Sequence, residues 1–271
     1  MWTEEQRERY RSEHKRYPSD LTDAEWDEIE DLFASYESYS HTLRELVNAC
    51  LYLSAEGCRW QSLPKDFPPS GTVRWWWDRF HREGVWERAS ARLVRLARRA
   101  SGRPAAPSTG LIDSQSVRCG PQAGPRGTDG GKRVHGRKRH LLTCSIGLLL
   151  AVLVTAANRH DSRAVAPLLA RAATAGWTLV RLVADDAYAG QPVAQEAARY
   201  GIAVQIAAKP AAAGGAGFTP IPLRWRVEAS IGTLTTRYRS LVRDWTTTPE
   251  AAENALWIAN TRRALKIIVR Q

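Results

Sequence analysis

Past residue 110 the chain changes period, and the order of elements that follows leaves few folds open. Three strand-like runs come first: LIDSQSVRC, then KRHLLTCSIG and LLLAVLVTAAN. The last two meet around Ile146 and Gly147 closely enough to form a hairpin. RAVAPLLARAATAG reads as a helix capped by Asp161 or Ser162. A fourth strand, WTLVRLVADDAYAG, a helix, QPVAQEAARYG, and a fifth strand, IAVQIAAKP, come next. AAAGGAGF is a loop by composition, and LRWRVEASIGTLTTRYRSLV and PEAAENALWIANTRRALKIIV are closing helices. The order βββαβαβαα predicts an α/β domain over 111–271. Its mixed five-stranded sheet has an antiparallel part, then right-handed crossovers, with helices on its faces. Strands one and four then lie parallel at the sheet centre, where the carboxyl ends of strands form a site.

The front of the chain has helical period instead. In SDLTDAEWDEIEDLF, Thr22 and Glu25 have capping-box spacing, and Trp26, Ile29 and Phe33 share a face. HTLRELVNACLYLSAEGC is a second helix stopped by Gly57. A Pro-rich loop leads to TVRWWWDRFHREG, capped by Ser70 or Thr72, and VWERASARLVRLARRAS follows. Three or four short helices with a tight loop before an Arg/Trp-rich one predict an all-α, helix-turn-helix-like domain over 17–101. Arg74, Arg79 and Arg82 are its candidate DNA contacts. Consecutive Trp75, Trp76 and Trp77 cannot share one face, so at least one is exposed. Residues 1–16 form an N-terminal arm, and GRPAAPSTG at 102–110 is the linker.

Charge narrows the partner. The net charge is +11, unevenly spread: residues 17–66 hold 11 acids against 3 bases, residues 67–110 hold 9 bases against 3 acids. A basic working face on an acidic scaffold suits a polyanion, most commonly nucleic acid. The polar N-terminus does not read as a secretory signal, and LLLAVLVTAA is about half a membrane span. Cys50, Cys58, Cys119 and Cys144 have no zinc-site spacing and read as reduced thiols.

Asp113, in the first strand, needs a partner, because a carboxylate beside buried apolar residues is expensive alone. Asp185 ends the fourth strand, and Glu228 is the sole acid of its helix. Three acids converging from separate segments repel one another unless divalent cations sit among them, and all-oxygen ligands suit Mg²⁺ or Mn²⁺. Asp186 competes with Asp185, but strand alternation points only one of the two at the site. Asp161 beside His160 reads as a helix cap.

Asp113, Asp185 and Glu228, spaced 72 and 43 residues apart, resemble the DDE triad of ribonuclease-H-like transposases. The blocks RYPSDLTDAEWDEIEDLF, GCRWQSLPKDFPP, IDSQSV, GPRGTDGGKRVHGRKRHLL, GLLLAVLVTAANRHDS, VADDAYAG and RWRVEASIG resemble the insertion-sequence-five-like group of bacterial insertion-sequence transposases. The resemblance runs from about Arg16 to Ala264. It implies a DNA transposase that binds the element's ends, cleaves the DNA and joins 3′-OH ends to target DNA. It implies two Mg²⁺ or Mn²⁺ ions held by Asp113, Asp185 and Glu228. It further implies double-stranded DNA as partner, a homo-oligomer (at least a dimer) on that DNA, and a bacterial, cytoplasmic and nucleoid-associated location. The family block A-D-x-x-Y-x-G matches Ala184, Asp185, Tyr188 and Gly190, which favours Asp185 over Asp186. Lys132, Arg133, Arg137, Lys138 and Arg139 of KRVHGRKRH are expected to hold phosphates, as are Arg224 and Arg237. The pattern around the glutamate departs from the family's: Ile221 stands at a Tyr position, Thr235 at a Lys position, and Ala229 follows Glu228. Arg237 is the candidate for the missing basic role. The competing readings are an inactive transposase-derived DNA-binding regulator and a ribonuclease-H-like nuclease without strand transfer.

Overall fold

A tight turn at Gly147, at a left-handed φ of 78°, joins two long strands and sets the geometry of the sheet. The computed structural model describes residues 17–207 and 224–269, with the backbone alone over 224–228. The 1–16 arm and the AAAGGAGF loop lie outside the described residues. The strands are β1 (Thr109–Arg118), β2 (Gly127–Asp129), β3 (Val134–Cys144), β4 (Leu149–Ala156), β5 (Arg181–Ala184) and β6 (Ala203–Ile206). The helices are α1 (Asp23–Asp27), α2 (Leu43–Glu56), α3 (Ser70–Arg82), α4 (Val85–Ala100), α5 (Val165–Thr174), α6 (Gln191–Ala198), α7 (Arg224–Arg237) and α8 (Pro249–Ile268).

Among the described residues the sheet has six strands, not the expected five. β3 runs antiparallel to β1 along one edge, and β4 and the short β2 share its other edge. β1 continues into β5 and β6 as parallel neighbours, as the order of elements predicts. β2 is three residues long, too short for period-two alternation to register. Its only sequence signal is the Asp-Gly-Gly turn that returns it into β3. At Gly136 the strands come so close that an added Cβ would stand 1.9 Å from the Val117 carbonyl oxygen. No side chain fits there without moving β1.

The helix ends follow local chemistry, with two corrections. Thr22 and Glu25 form the expected capping box, a second one joins Thr42 to Glu45, and Gly57 at φ 62° ends α2. α3 starts from Pro69 with no side-chain cap, so neither Ser70 nor Thr72 serves. Asp161 is not the cap: His160 opens the short turn before α5, and Asp161 pairs with Lys138.

The linker composition at 102–110 marks no break in the core. Buried residues of α2, α3, α4, the sheet, α5 and α8 form one continuous apolar cluster. α8 lies against α4, where Asn260 Nδ2 donates to Ser90 Oγ at 2.7 Å. The front helices and α8 are clamped by an ion pair of Arg262 with Glu25 at 2.5 Å, side chains 4% and 5% exposed. Burial alone raises the Glu25 pKa, but the Arg262 guanidinium and the Thr22 N–H more than offset it and hold the carboxyl below its ordinary range.

Candidate active site

Pairing register brings the first two acids together. Leu111 of β1 stands opposite Val183 of β5 in a parallel pair. Asp113 and Asp185 each lie two residues further on, Asp113 within β1 and Asp185 one residue past the end of β5, so the register directs them toward one another. Alternation puts Leu111, Asp113 and Gln115 on one face of β1. Leu111 and Val183 belong to a small apolar cluster apart from the main core, and α7 packs on β1. Glu228 lies in the first half of α7. Asp113 Oδ1 accepts the Ser114 N–H at 2.7 Å, and Asp185 Oδ1 accepts the Ala187 N–H at 3.0 Å. Asp185 is half-buried, whereas Asp186 is exposed.

The basic run on β3 departs from expectation. Arg137, Lys138 and Arg139 are buried and face protein rather than solvent, so their expected role as phosphate contacts is corrected. Arg137 ion-pairs with Asp244 at 3.0 Å and donates to the Pro125 and Thr247 carbonyls. Arg139 donates to the Leu241 carbonyl at 2.7 Å, and burial pushes its pKa down to about 10. Lys138 sits between Asp161 at 2.9 Å and Asp129 at 3.3 Å. Burial works against its charge, but the two carboxylates hold its pKa above the ordinary value. A charge run in sequence suggests a solvated face. Here both faces of β3 are covered, and only the tertiary position of the 239–248 segment and of Asp161 reveals the partners.

Other basic residues stay outside. Lys132 and Arg133 are exposed at the β2–β3 turn, and Lys132 Nζ donates to the Ser114 carbonyl at 3.2 Å, one residue from Asp113. Arg133 holds a left-handed φ of 52°, an uncommon conformation for a residue with a Cβ. On α3, Val73, Trp76 and Phe80 face the core, Trp77 is half-buried and Trp75 is 52% exposed. Arg74 pairs with Asp78 and lies over the Trp60 ring; Arg79 pairs with Glu83 beside Tyr36, Trp75 and Trp76. Arg82 and Arg237 are exposed, and the side chain of Arg224 lies outside the described residues, as does that of Glu228.

The opposite face of β1 carries a polar cluster that sequence reasoning missed. Ser114 is the cross-strand partner of His140, and Ser116 that of Lys138. Asp129, buried yet bonded by Ser116, the Lys132 N–H and Lys138, has its pKa held down to about 2. Tyr188 is buried among these groups, and burial, with Asp161, Asp113 and Asp185 nearby, pushes its pKa well up. Burial pushes His140 down to about 4. Its folded pKa lies below the ordinary 6.5. The stability that this neutral ring contributes is therefore complete above pH 6.5 and lost as the pH falls through about 4. Denaturant titrations between pH 7 and 4 are expected to show a loss of roughly 3 kcal/mol from this group. His140→Asn is expected to flatten the curve over that window. Equal slopes for both chains would remove His140 as the cause.

Among the described residues, no three metal-capable side chains cluster; the two adjacent carboxylates are an oxygen donor pair that fits a hard divalent cation. A mixed sheet with flanking helices, one acid within β1 and another just past the end of the parallel β5, fits a ribonuclease-H-like DDE domain. The family described as "Transposase DDE domain" matches residues 104–262, more than half of the chain, and "Putative transposase of IS4/5 family" matches residues 21–90. The chain therefore belongs to the DDE transposases, of IS4/IS5-like type. No curated protein matches it. Among the described residues no helix is long and apolar enough to cross a membrane.

Proposed function

We propose that the chain binds the ends of an insertion sequence, cleaves the DNA there and joins the freed 3′-OH to target DNA, with Asp113, Asp185 and Glu228 as the acids that hold two Mg²⁺ or Mn²⁺ ions. The observation that carries this reading is the parallel register that sets Asp113 beside Asp185, with the helix bearing Glu228 packed on β1. When bound, such ions lower the pKa of water and neutralise charge gathering on a phosphodiester. The residues of the chain supply the rest. Asp113 and Asp185 bring negative charge to one edge of a rigid sheet. Lys132, whose Nζ reaches the Ser114 carbonyl beside Asp113, and the exposed Arg133 and Arg237 hold the phosphate backbone. Arg74, Arg79 and Arg82 face the element end. In the cleavage step the water oxygen bonds to phosphorus, the P–O3′ bond breaks, and the 3′ oxygen leaves with the electron pair and takes up a proton. In the joining step that 3′ oxygen loses its proton and bonds to a phosphorus of the target strand, whose own P–O3′ bond breaks, and the target 3′ oxygen leaves with the electron pair and takes up a proton. Two or more copies assembled on DNA bring paired ends together.

The test is a duplex carrying the element's own terminal repeat, incubated with the whole chain and Mg²⁺. Nicked ends with a free 3′-OH and joined products support the reading. Binding without cleavage favours a DNA-binding regulator, and cleavage without joining favours a nuclease. Lys132→Ala is expected to weaken binding to duplexes of every sequence alike and to lower the slope of log affinity against log salt by about 1. An unchanged salt slope removes Lys132 from the phosphate contacts.

A further inference from the structure

Directly behind the Asp113–Asp185 edge, three buried polar atoms have no hydrogen-bond partner among the described residues: Ser114 Oγ, His140 Nδ1 and Tyr188 Oη. Their side chains are 5%, 0% and 1% exposed. Ser114 and His140 face each other across β1 and β3. Ser114 stands near enough to the Tyr188 hydroxyl to stabilise its ionised form, yet neither hydroxyl completes a hydrogen bond of sound geometry. The other ring nitrogen of His140 is engaged by Thr155 Oγ1 at 3.0 Å. Leaving even one buried hydroxyl unpaired is costly, because its lost hydration is not replaced. A phenylalanine at position 188 would fill the same core space without that cost, so the hydroxyl needs a partner that the described side chains do not supply. All three groups can be neutral and can both give and accept hydrogen bonds, which suits a water molecule with three ligands.

We propose that Tyr188 is a positioning residue for Asp185, its hydroxyl tied to Ser114 and His140 through one internal water. The path is short. Asp185 opens a single turn, Asp186–Tyr188, whose last residue sends its ring to the opposite side of the sheet from Asp113. The Tyr188 N–H donates to the Asp185 carbonyl at 3.0 Å. Fixing the hydroxyl to β1 and β3 therefore fixes the turn, and with it the height of the Asp185 carboxylate beside Asp113. Ser114 fastens both acids: its backbone N–H holds Asp113 Oδ1, and its hydroxyl joins the water that holds Tyr188. The inference rests on the reading of Asp113 and Asp185 as a cation-binding pair, but the tie itself does not.

The experiment compares the whole chain with Tyr188→Phe and Ser114→Ala; the second keeps the backbone N–H on Asp113. Three readings are taken: hydrogen exchange of the amides of residues 186–189 without metal, the ¹⁵N resonance of His140 Nδ1, and the affinity for Mn²⁺ followed by its paramagnetic resonance. Both variants are expected to fold, to exchange these amides faster, to shift the His140 resonance, and to bind Mn²⁺ about tenfold or more weakly, as for other groups that orient a metal ligand. A folded variant with unchanged exchange or an unmoved His140 resonance overturns the tie. Faster exchange with unchanged Mn²⁺ affinity overturns the positioning role. If Tyr188→Phe does not fold, Ser114→Ala decides on the same readings. A wild-type chain that binds no Mn²⁺ sinks the reading of the acids and the positioning role with it, while exchange and the His140 resonance still judge the tie.

Discussion

Asp113→Asn is expected to leave the chain folded and able to bind duplex DNA while abolishing cleavage. Asparagine keeps the shape of the side chain and an oxygen that can accept the Ser114 N–H, so the β1 backbone has no reason to move. It removes one of two negative charges brought together by the register of β1 and β5. A hard divalent cation bound between carboxylates loses affinity when one becomes a neutral amide. The loss in cleavage rate is expected to be at least about 10²–10³-fold, the order reached when a single preorganised charge-stabilising group is removed. Gel shifts on the same duplex should superimpose on those of the wild type, because the basic residues assigned to DNA are elsewhere. Cleavage at the wild-type rate would take Asp113 out of the site. Loss of DNA binding together with cleavage would mean that Asp113 acts on the fold or on DNA directly.

Arg137→Met is expected to be the most destabilising single change in the catalytic half. Arg137 and Asp244 are 0% and 1% exposed. The guanidinium also holds the carbonyls of Pro125 and Thr247. Removing it leaves Asp244 charged in the interior and several carbonyls without donors. Breaking such a pair costs about 3–5 kcal/mol, a large share of the roughly 5–15 kcal/mol that holds a typical domain together. At about 2–4 °C per kcal/mol for a chain of this size class, the melting temperature falls by roughly 6–20 °C. If the Arg137→Met variant lies within about 1 kcal/mol of the wild type in urea titrations, well short of the cost of a broken buried pair, the structural role is refuted and Arg137 returns to the candidates for DNA contact. Arg137→Met with Asp244→Leu should recover part of the loss, since the stranded charge is then gone.

Local chemistry was readable in the sequence, and what depends on distant partners was not. Thr22 with Glu25, Gly57 and the Gly147 turn act over a few residues, so spacing alone revealed them. The parallel placement of β1 beside β5 followed from the alternation of strands and helices, because crossover rules leave few topologies. β2 escaped because three residues carry no period. Arg137, Lys138 and Arg139 misled because consecutive basic residues suggest solvent. Alternation instead sends Arg137 and Arg139 toward one face and Lys138 toward the other, and they meet acceptors from about 10 to more than 100 residues away in sequence. Tyr188 stood out only as part of a family block, and its meeting with Ser114 and His140 went unread for the same reason: it is a product of register, and no local pattern encodes it.

The clamp between Glu25 and Arg262 bears on how the protein is made. Domains commonly fold in order of synthesis, the first-made part while the rest is still on the ribosome. Here the first helices lack part of their core until α8, the last described element, has emerged, and Arg262 is the counter-charge that the buried Glu25 awaits. The front helices thus behave as the late-closing half of one cooperative unit. A gene copy truncated before α8 would yield an unfolded chain rather than a free DNA-binding fragment. On the function proposed above, decayed copies would then produce no stable competitor for the ends of the element, and proteolysis would clear what they do produce.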